Sequence, residues 1–115
     1  MVPSILEHVS PDLWWGFACA ADDVPWHRPV EGSAELPRSF ADLMQHTEIR
    51  KFEVQRFFTT EGAVVVQIRL GVNVKRTGRY YEVDHVHVWS FAEDGRVNRM
   101  VHYEDTATVQ AAWRG

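Results

Sequence analysis

Two imidazoles stand two residues apart in the stretch Tyr80 to Phe91, the part of the chain richest in groups that could do chemistry. Its odd positions are Tyr81, Val83, His85, His87, Trp89 and Phe91; its even positions are Glu82, Asp84, Val86, Val88 and Ser90. In an extended strand these sets point to opposite faces. An aromatic face with two imidazoles suits the wall of a mixed apolar and polar pocket, because imidazole gains or loses a proton near neutral pH. The same face would also serve as a core whose His rings bond to neighbours, or as an interface. His85-x-His87 has the spacing of a strand-borne metal pair as well. If the last hairpin pairs Phe91 with Arg96, His102 falls opposite His85 and three His stand together. Zinc or iron needs such convergence plus an open position. His-x-His alone is a weak signal, so the preferred reading has no metal and no other cofactor.

Asp105 is the next candidate. A carboxylate at the mouth of an apolar cavity is desolvated, and its pKa rises toward values useful to a general base. Asp105 also sits where a helix N-cap belongs, the commoner use of Asp there. A one-residue change in hairpin register puts either Met100, His102 and Glu104 or Val101, Tyr103 and Asp105 beside His87. The sequence leaves both open. Trp26 follows Pro25 in a loop and could line an entrance, with Trp89 and Met100 as walls. Core or interface packing is the commoner use of at least two of Trp14, Trp15 and Trp26. Cys19 is the one cysteine. It reads as a small buried hydrophobe rather than a nucleophile, and it leaves no internal disulfide. No Gly-rich phosphate loop, Ser-based elbow or Cys-Cys metal spacing is present.

These residues need elements to hold them. Pro3 to Val9 is a short helix candidate ended by Ser10-Pro11-Asp12, and Leu13 to Ala18 is a short apolar strand. Asp22 to Gly32, with Pro25 and Pro29, reads as loop. Pro37 opens a helix through about His46 with Phe40, Leu43 and Met44 as its buried stripe. From Phe52 the period becomes two. Strands are expected over Phe52 to Phe58, Ala63 to Lys75, Tyr80 to Phe91 and Arg96 to Glu104, joined by short turns into an antiparallel meander. In the second of these Val64, Val66, Ile68, Leu70, Val72 and Val74 mark the buried face. Thr106 to Trp113 is a final helix. Strands this long must curl or be covered, and helices closing one face would leave a cone-shaped cavity.

Composition agrees with a single domain over residues 1–115, 45% hydrophobic with five Trp and six Phe. A formal net charge of -4 gives no basic footprint for nucleic acid. No apolar run is long enough to span a bilayer, and Met1 to Glu7 lacks a secretory pattern. A cytoplasmic location is the expectation.

The stretch Thr77 to Phe91, then Asp94-Gly95-Arg96-Val97, then Tyr103-Glu104-Asp105-Thr106, resembles the SnoaL-like, ketosteroid isomerase-like branch of the nuclear transport factor 2-like superfamily. The loop Asp23-Val24-Pro25-Trp26, Gly32 and the helix around Phe40 resemble that family's first half. The resemblance implies an α+β fold, a curved antiparallel sheet wrapped on helices into a cone-shaped barrel of the cystatin-like kind. It also implies a homodimer. It places His87 where ketosteroid isomerases carry an acidic oxyanion-hole donor, and Asp105 near the aspartate that closes the last strand in SnoaL-like cyclases. The isomerase's base and phenolic donor have no match here, nor does the epoxide hydrolase's Arg-bridged carboxylate pair. Relatives begin with a long helix, whereas this chain begins just after it, which implies either a more open pocket or a true start upstream of Met1. The expected function is binding of a small, largely apolar or aromatic ligand, with isomerase, cyclase or hydrolase chemistry. His87 and Asp105 would be catalytic, and Trp26, His85, Trp89, Met100, His102 and Tyr103 would contact ligand. The alternative is a ligand-binding or dimer-forming module without chemistry. Self-association is expected through the outer sheet face, where Val65, Phe57, Val86 and Val88 would sit among Arg69, Lys75, Glu82 and Asp84.

Overall fold

The apolar alternation of the second half becomes a sheet, and the first half supplies its cover. The computed structural model describes residues 5–115. The chain runs β1 (Val9–Phe17), a 3-10 turn at Pro25–His27, β2 (Val30–Glu31), a second 3-10 turn at Ser33–Glu35 and α1 (Leu36–His46). It continues through β3 (Thr47–Thr60), β4 (Ala63–Val74), β5 (Tyr80–Phe91), β6 (Val97–Tyr103) and α2 (Thr106–Arg114). The expected Pro3 to Val9 helix lies partly outside the described residues; within them, Val9 already belongs to β1.

The six strands lie in the order β2-β1-β6-β5-β4-β3. β3 through β6 form the antiparallel meander that the turns announce. The sheet as a whole is mixed rather than antiparallel, because β1 pairs with β6 in parallel. Short turns dictate pairing between consecutive strands. They say nothing about where an early, separate strand docks. β2 and β3 remain unjoined edges, so the curved sheet is open and the cone-shaped barrel does not close.

Register decides which side chains meet. In β4 and β5, Val66 pairs with His87, Ile68 with His85 and Leu70 with Val83. This puts the even positions of β4 and the odd positions of β5 on the helix-covered face. β3 carries two irregularities, between Ile49 and Lys51 and between Val54 and Arg56. Each inserts a residue and reverses the alternation. Phe52 pairs with Leu70, Val54 with Ile68 and Phe57 with Val66, so all three share the inner face. Phe58, paired with Val65, takes the outer position expected of Phe57.

Two clusters hold the covered face. Trp26, Trp113, Val109 and Ala112 pack on Ile68, Leu70, Val72, Tyr81 and Val83. Leu13, Trp15, Val30, Leu36, Val97 and Met100 form the second, with Phe40 and Trp89 against it. α1 buries Leu36, Phe40 and Leu43 at i, i+4, i+7, and Met44 points to solvent at 65% exposure. The Thr47 hydroxyl and amide both bond the Leu43 carbonyl, which ends α1 and starts β3 without a loop. We expect Leu36→Ala, at a fully buried position on that stripe, to cost about 2–5 kcal/mol in denaturant unfolding. Met44→Ala should change stability by less than about 0.5 kcal/mol. Equal effects would show the stripe to be wrongly assigned.

Candidate functional site

His85, His87 and His102 converge on the inner face. The observed hairpin pairs Phe91 with Val97 rather than Arg96, and a shift at Ser90 brings His102 opposite His87. The difference from the expected register is an even number of residues, so His102 keeps the same face. The ring centroid of His87 lies 4.8 Å from both His85 and His102.

Behind these rings lies a carboxylate. Glu104, two residues after His102, has a side chain only 2% exposed. Its Oε1 is 3.0 Å from His85 Nδ1 and its Oε2 is 3.0 Å from His27 Nε2. The Ala21 amide donates to His27 Nδ1 at 3.0 Å. That nitrogen therefore has no hydrogen, and Nε2–H donates to Glu104. Glu104 also accepts from His85 Nδ1–H, which leaves His85 Nε2 as acceptor. At 3.0 Å from it, His102 Nδ1–H donates. Among the described residues the chain of bonds thus ends at His102 Nε2, whose lone pair is left to accept. Phe17 stacks on His27 at 4.1 Å and on His102 at 4.4 Å, which fixes both ring planes.

Electrostatics follow from burial. Desolvation pushes the Glu104 carboxyl up, but the hydrogen bonds from His27 and His85 and their charges outweigh it and hold it below its ordinary value. Burial, then the neighbouring His85, lowers His87 from 6.5 to about 3, against a smaller opposing pull from Glu104. Burial, then His87, His85 and His27, holds His102 well below 6.5. Both rings are neutral at pH 7. A proton taken at His102 Nε2 need not stay there. If Nδ1–H passes to His85 Nε2, the positive charge rests on the ring bonded to Glu104. The arrangement can therefore store a proton in an apolar setting. His27 anchors this chain, because the Ala21 amide occupies its far nitrogen.

Around the rings the face is apolar and open. Phe52 lies 6.4 Å from His87 and Trp89 lies 5.7 Å from it. Phe52, Val54 and Phe57 are each more than half exposed. This open apolar wall with the histidines beside it is called the trough below; a cavity of about 420 Å³ lies elsewhere, lined by residues that include Ala21, Val24, His27 and Asp42.

Several expected site residues lie elsewhere. Asp105 is not brought to His87. It is exposed and caps α2, its carboxylate accepting from the Thr108 amide at 3.2 Å and hydroxyl at 2.8 Å. Those bonds hold its carboxyl below the usual value, the reverse of a desolvated base. Tyr103 points to the outer face, 48% exposed. Trp26 is buried edge-on against Trp113 at 5.8 Å and lines no entrance. Met100 is fully buried and touches core, not ligand space. Cys19 is exposed, not buried. Glu104, not Asp105, is the carboxylate that meets the histidines. The alternation Met100, His102, Glu104 pointed to it, whereas nothing in the loop around Pro25 pointed to His27.

The sequence profile described as SnoaL-like domain matches residues 5–100. This chain is a member of the SnoaL-like domain family. No curated protein sequence matches it. Among solved structures, a nuclear transport factor 2-like protein of unknown function from Burkholderia pseudomallei is 23% identical, with a TM-score of 0.86 over 99% of this chain and 86% of that one. TerC, co-crystallised with polyporic acid, is 22% identical, with a TM-score of 0.83 over 99% and 86%. A proposed isomerase from Bacillus subtilis is 21% identical, with a TM-score of 0.80 over 99% and 81%. At these identities the likeness is one of fold. Among the described residues of this SnoaL-like domain, no helix is long and apolar enough to cross a membrane.

The neutral rings make acid lability an expected property. The unfolded chain protonates His87 near 6.5 and the folded domain only near 3, so between these values the unfolded state binds more protons and stability falls with pH. Glu104, held below 4.5, acts in the same direction: its contribution is present above that value and lost as pH falls further. In chelator-treated protein, His87→Asn should remove roughly 1–3 kcal/mol of the stability lost between about pH 7 and pH 4. Denaturant unfolding across that range measures it, and a variant curve parallel to the parent's would refute it.

Proposed function

We propose that the trough binds a small, largely apolar ligand through Phe52, Val54, Phe57 and Trp89, and that the histidine floor performs acid–base chemistry on its polar group. The observation that carries this reading is the buried Glu104–His85–His102 chain ending in an imidazole nitrogen left to accept at the base of an exposed apolar face. His102 is the base, His85 and Glu104 position it and hold the charge, and His87, which has no hydrogen-bond partner among the described residues, contacts the ligand's oxygen. An isomerase-, cyclase- or hydrolase-type step fits this set, since each moves a proton next to an oxygen on which charge develops. Neighbours described as a proposed isomerase and as TerC with polyporic acid support a small organic ligand.

A thermal-shift screen of steroids, terpenoids and aromatic polyketides tests the reading. A true ligand at a hundred times its dissociation constant adds about 2.7 kcal/mol. Phe52→Ser should weaken binding, Asp105→Ala should leave it unchanged, and His102→Gln should lower turnover by about 100-fold or more with binding retained. Binding with no turnover in any variant would favour the module without chemistry. Binding indifferent to Phe52→Ser would remove the trough.

We also propose that the outer sheet face pairs with a second copy of the chain. Phe58 is 51% and Tyr103 48% exposed there, beside Val65, Val86 and Val88. Arg69, bonded to Glu82 at 3.0 Å and Asp84 at 3.2 Å, supplies a polar rim. Sedimentation at micromolar concentration should give twice the 13.3 kDa of one chain, and Phe58→Glu should give the monomer. A parent protein that sediments as a monomer overturns this.

A further inference from the structure

A proton relay is one use of clustered imidazoles. The geometry also points to another: we propose that His85, His87 and His102 bind one divalent transition-metal ion, zinc foremost, at the floor of the trough. One nitrogen from each ring lies within 4.8 Å of the other two. Zinc–nitrogen bonds of about 2.1 Å in a tetrahedral site place two ligand atoms about 3.4 Å apart. His85 Nε2 and His102 Nδ1 are already 3.0 Å apart. The remaining closure falls to His87, because no hydrogen bond among the described residues restrains its ring.

The surroundings are those of a ligand set. Glu104 Oε1 accepts from His85 Nδ1–H at 3.0 Å, which fixes the ring and turns the Nε2 lone pair inward. His27 in turn holds the other oxygen of Glu104. Metal binding replaces the His85–His102 hydrogen bond: the proton on His102 Nδ1 moves to Nε2, so both rings ligate while neutral and no proton is lost. Three imidazoles without a thiolate suit zinc, nickel or copper, and leave one position open. Phe52 and Trp89 flank His87 at 6.4 and 5.7 Å, and water or a ligand oxygen would fill that position. The inference goes beyond the acid–base reading and does not require it.

The test uses the full chain, freed of metal with chelator, then incubated with zinc or cobalt and desalted. Elemental analysis should find one ion per chain, and the cobalt form should show the visible absorption of a four-coordinate nitrogen site. His87→Ala should abolish both while leaving the circular dichroism spectrum unchanged, since that ring is half-buried and unbonded. Glu104→Gln should weaken zinc binding by about 10- to 100-fold if it folds; His87→Ala decides if it does not. Substoichiometric metal, or full binding by His87→Ala, overturns the site. Organic-ligand binding by the metal-free protein, together with absent metal binding, would sink this inference and leave the trough standing.

Discussion

A buried carboxylate with both oxygens bonded to histidine is the constraint on which this domain turns. Glu104 could not be buried without partners, since an isolated charge in an apolar setting costs far more than a small domain's stability allows. It is tolerated because His85 and His27 each donate to one oxygen at 3.0 Å. Those donors come from distant parts of the chain: His85 from β5 and His27 from the turn after β1. The carboxylate therefore ties the irregular first half to the meander. Phe17, stacked between His27 and His102, makes the same tie through packing. Removing Glu104 would leave two imidazoles buried without their acceptor, so the network is one unit rather than a set of separable bonds.

The second determinant is parity. A strand shows one face to the helices only while its alternation is kept, and β3 resets its alternation twice. With the resets, Phe52, Val54 and Phe57 stand on the same side as the histidines. Without the second, Phe57 would have faced outward. The irregularities thus assemble an apolar wall from a strand whose own sequence alternates imperfectly. β3 is also the free edge, where such insertions distort only one partner.

This explains what could be read from the residues alone. Tyr80 to Phe91 was legible to its ends, because strict alternation and flanking turns admit one answer. The cap at Asp105 was equally legible, since its chemistry is local. Position i+2 on a strand is also local, so His85 and His87 could be put on one face from the sequence, whereas His102 joins them only through the hairpin register, which the sequence left open. The parallel docking of β1 and the approach of His27 were not legible, because both depend on where a long loop lands. The side that Asp105 takes was not legible either, because it turns on the register of the last hairpin. Its neighbour Glu104 differs from it only in the face it takes, and one residue of register decides between a buried relay and an exposed cap.

What remains is why the relay lies beside an uncovered wall. Trp15 lies 5.8 Å from His102 on the side of one core cluster, and Ile68, paired with His85, belongs to the other. Both clusters are covered by the chain's own first half and last helix. Only the side lined by β3 is left to solvent, and there the large residues exposed are apolar. A polar rim would have suited water better. Phe52, Val54 and Phe57 are instead what a surface needs if something apolar is to displace water from it. Displacing that water would also strip the last solvent from His87 and His102 and raise the strength of every hydrogen bond in the chain to Glu104. Under the proposed function the open wall and the buried carboxylate would be two parts of one device: the wall would control how dry the floor becomes, and the carboxylate would determine where a proton can rest once it is dry.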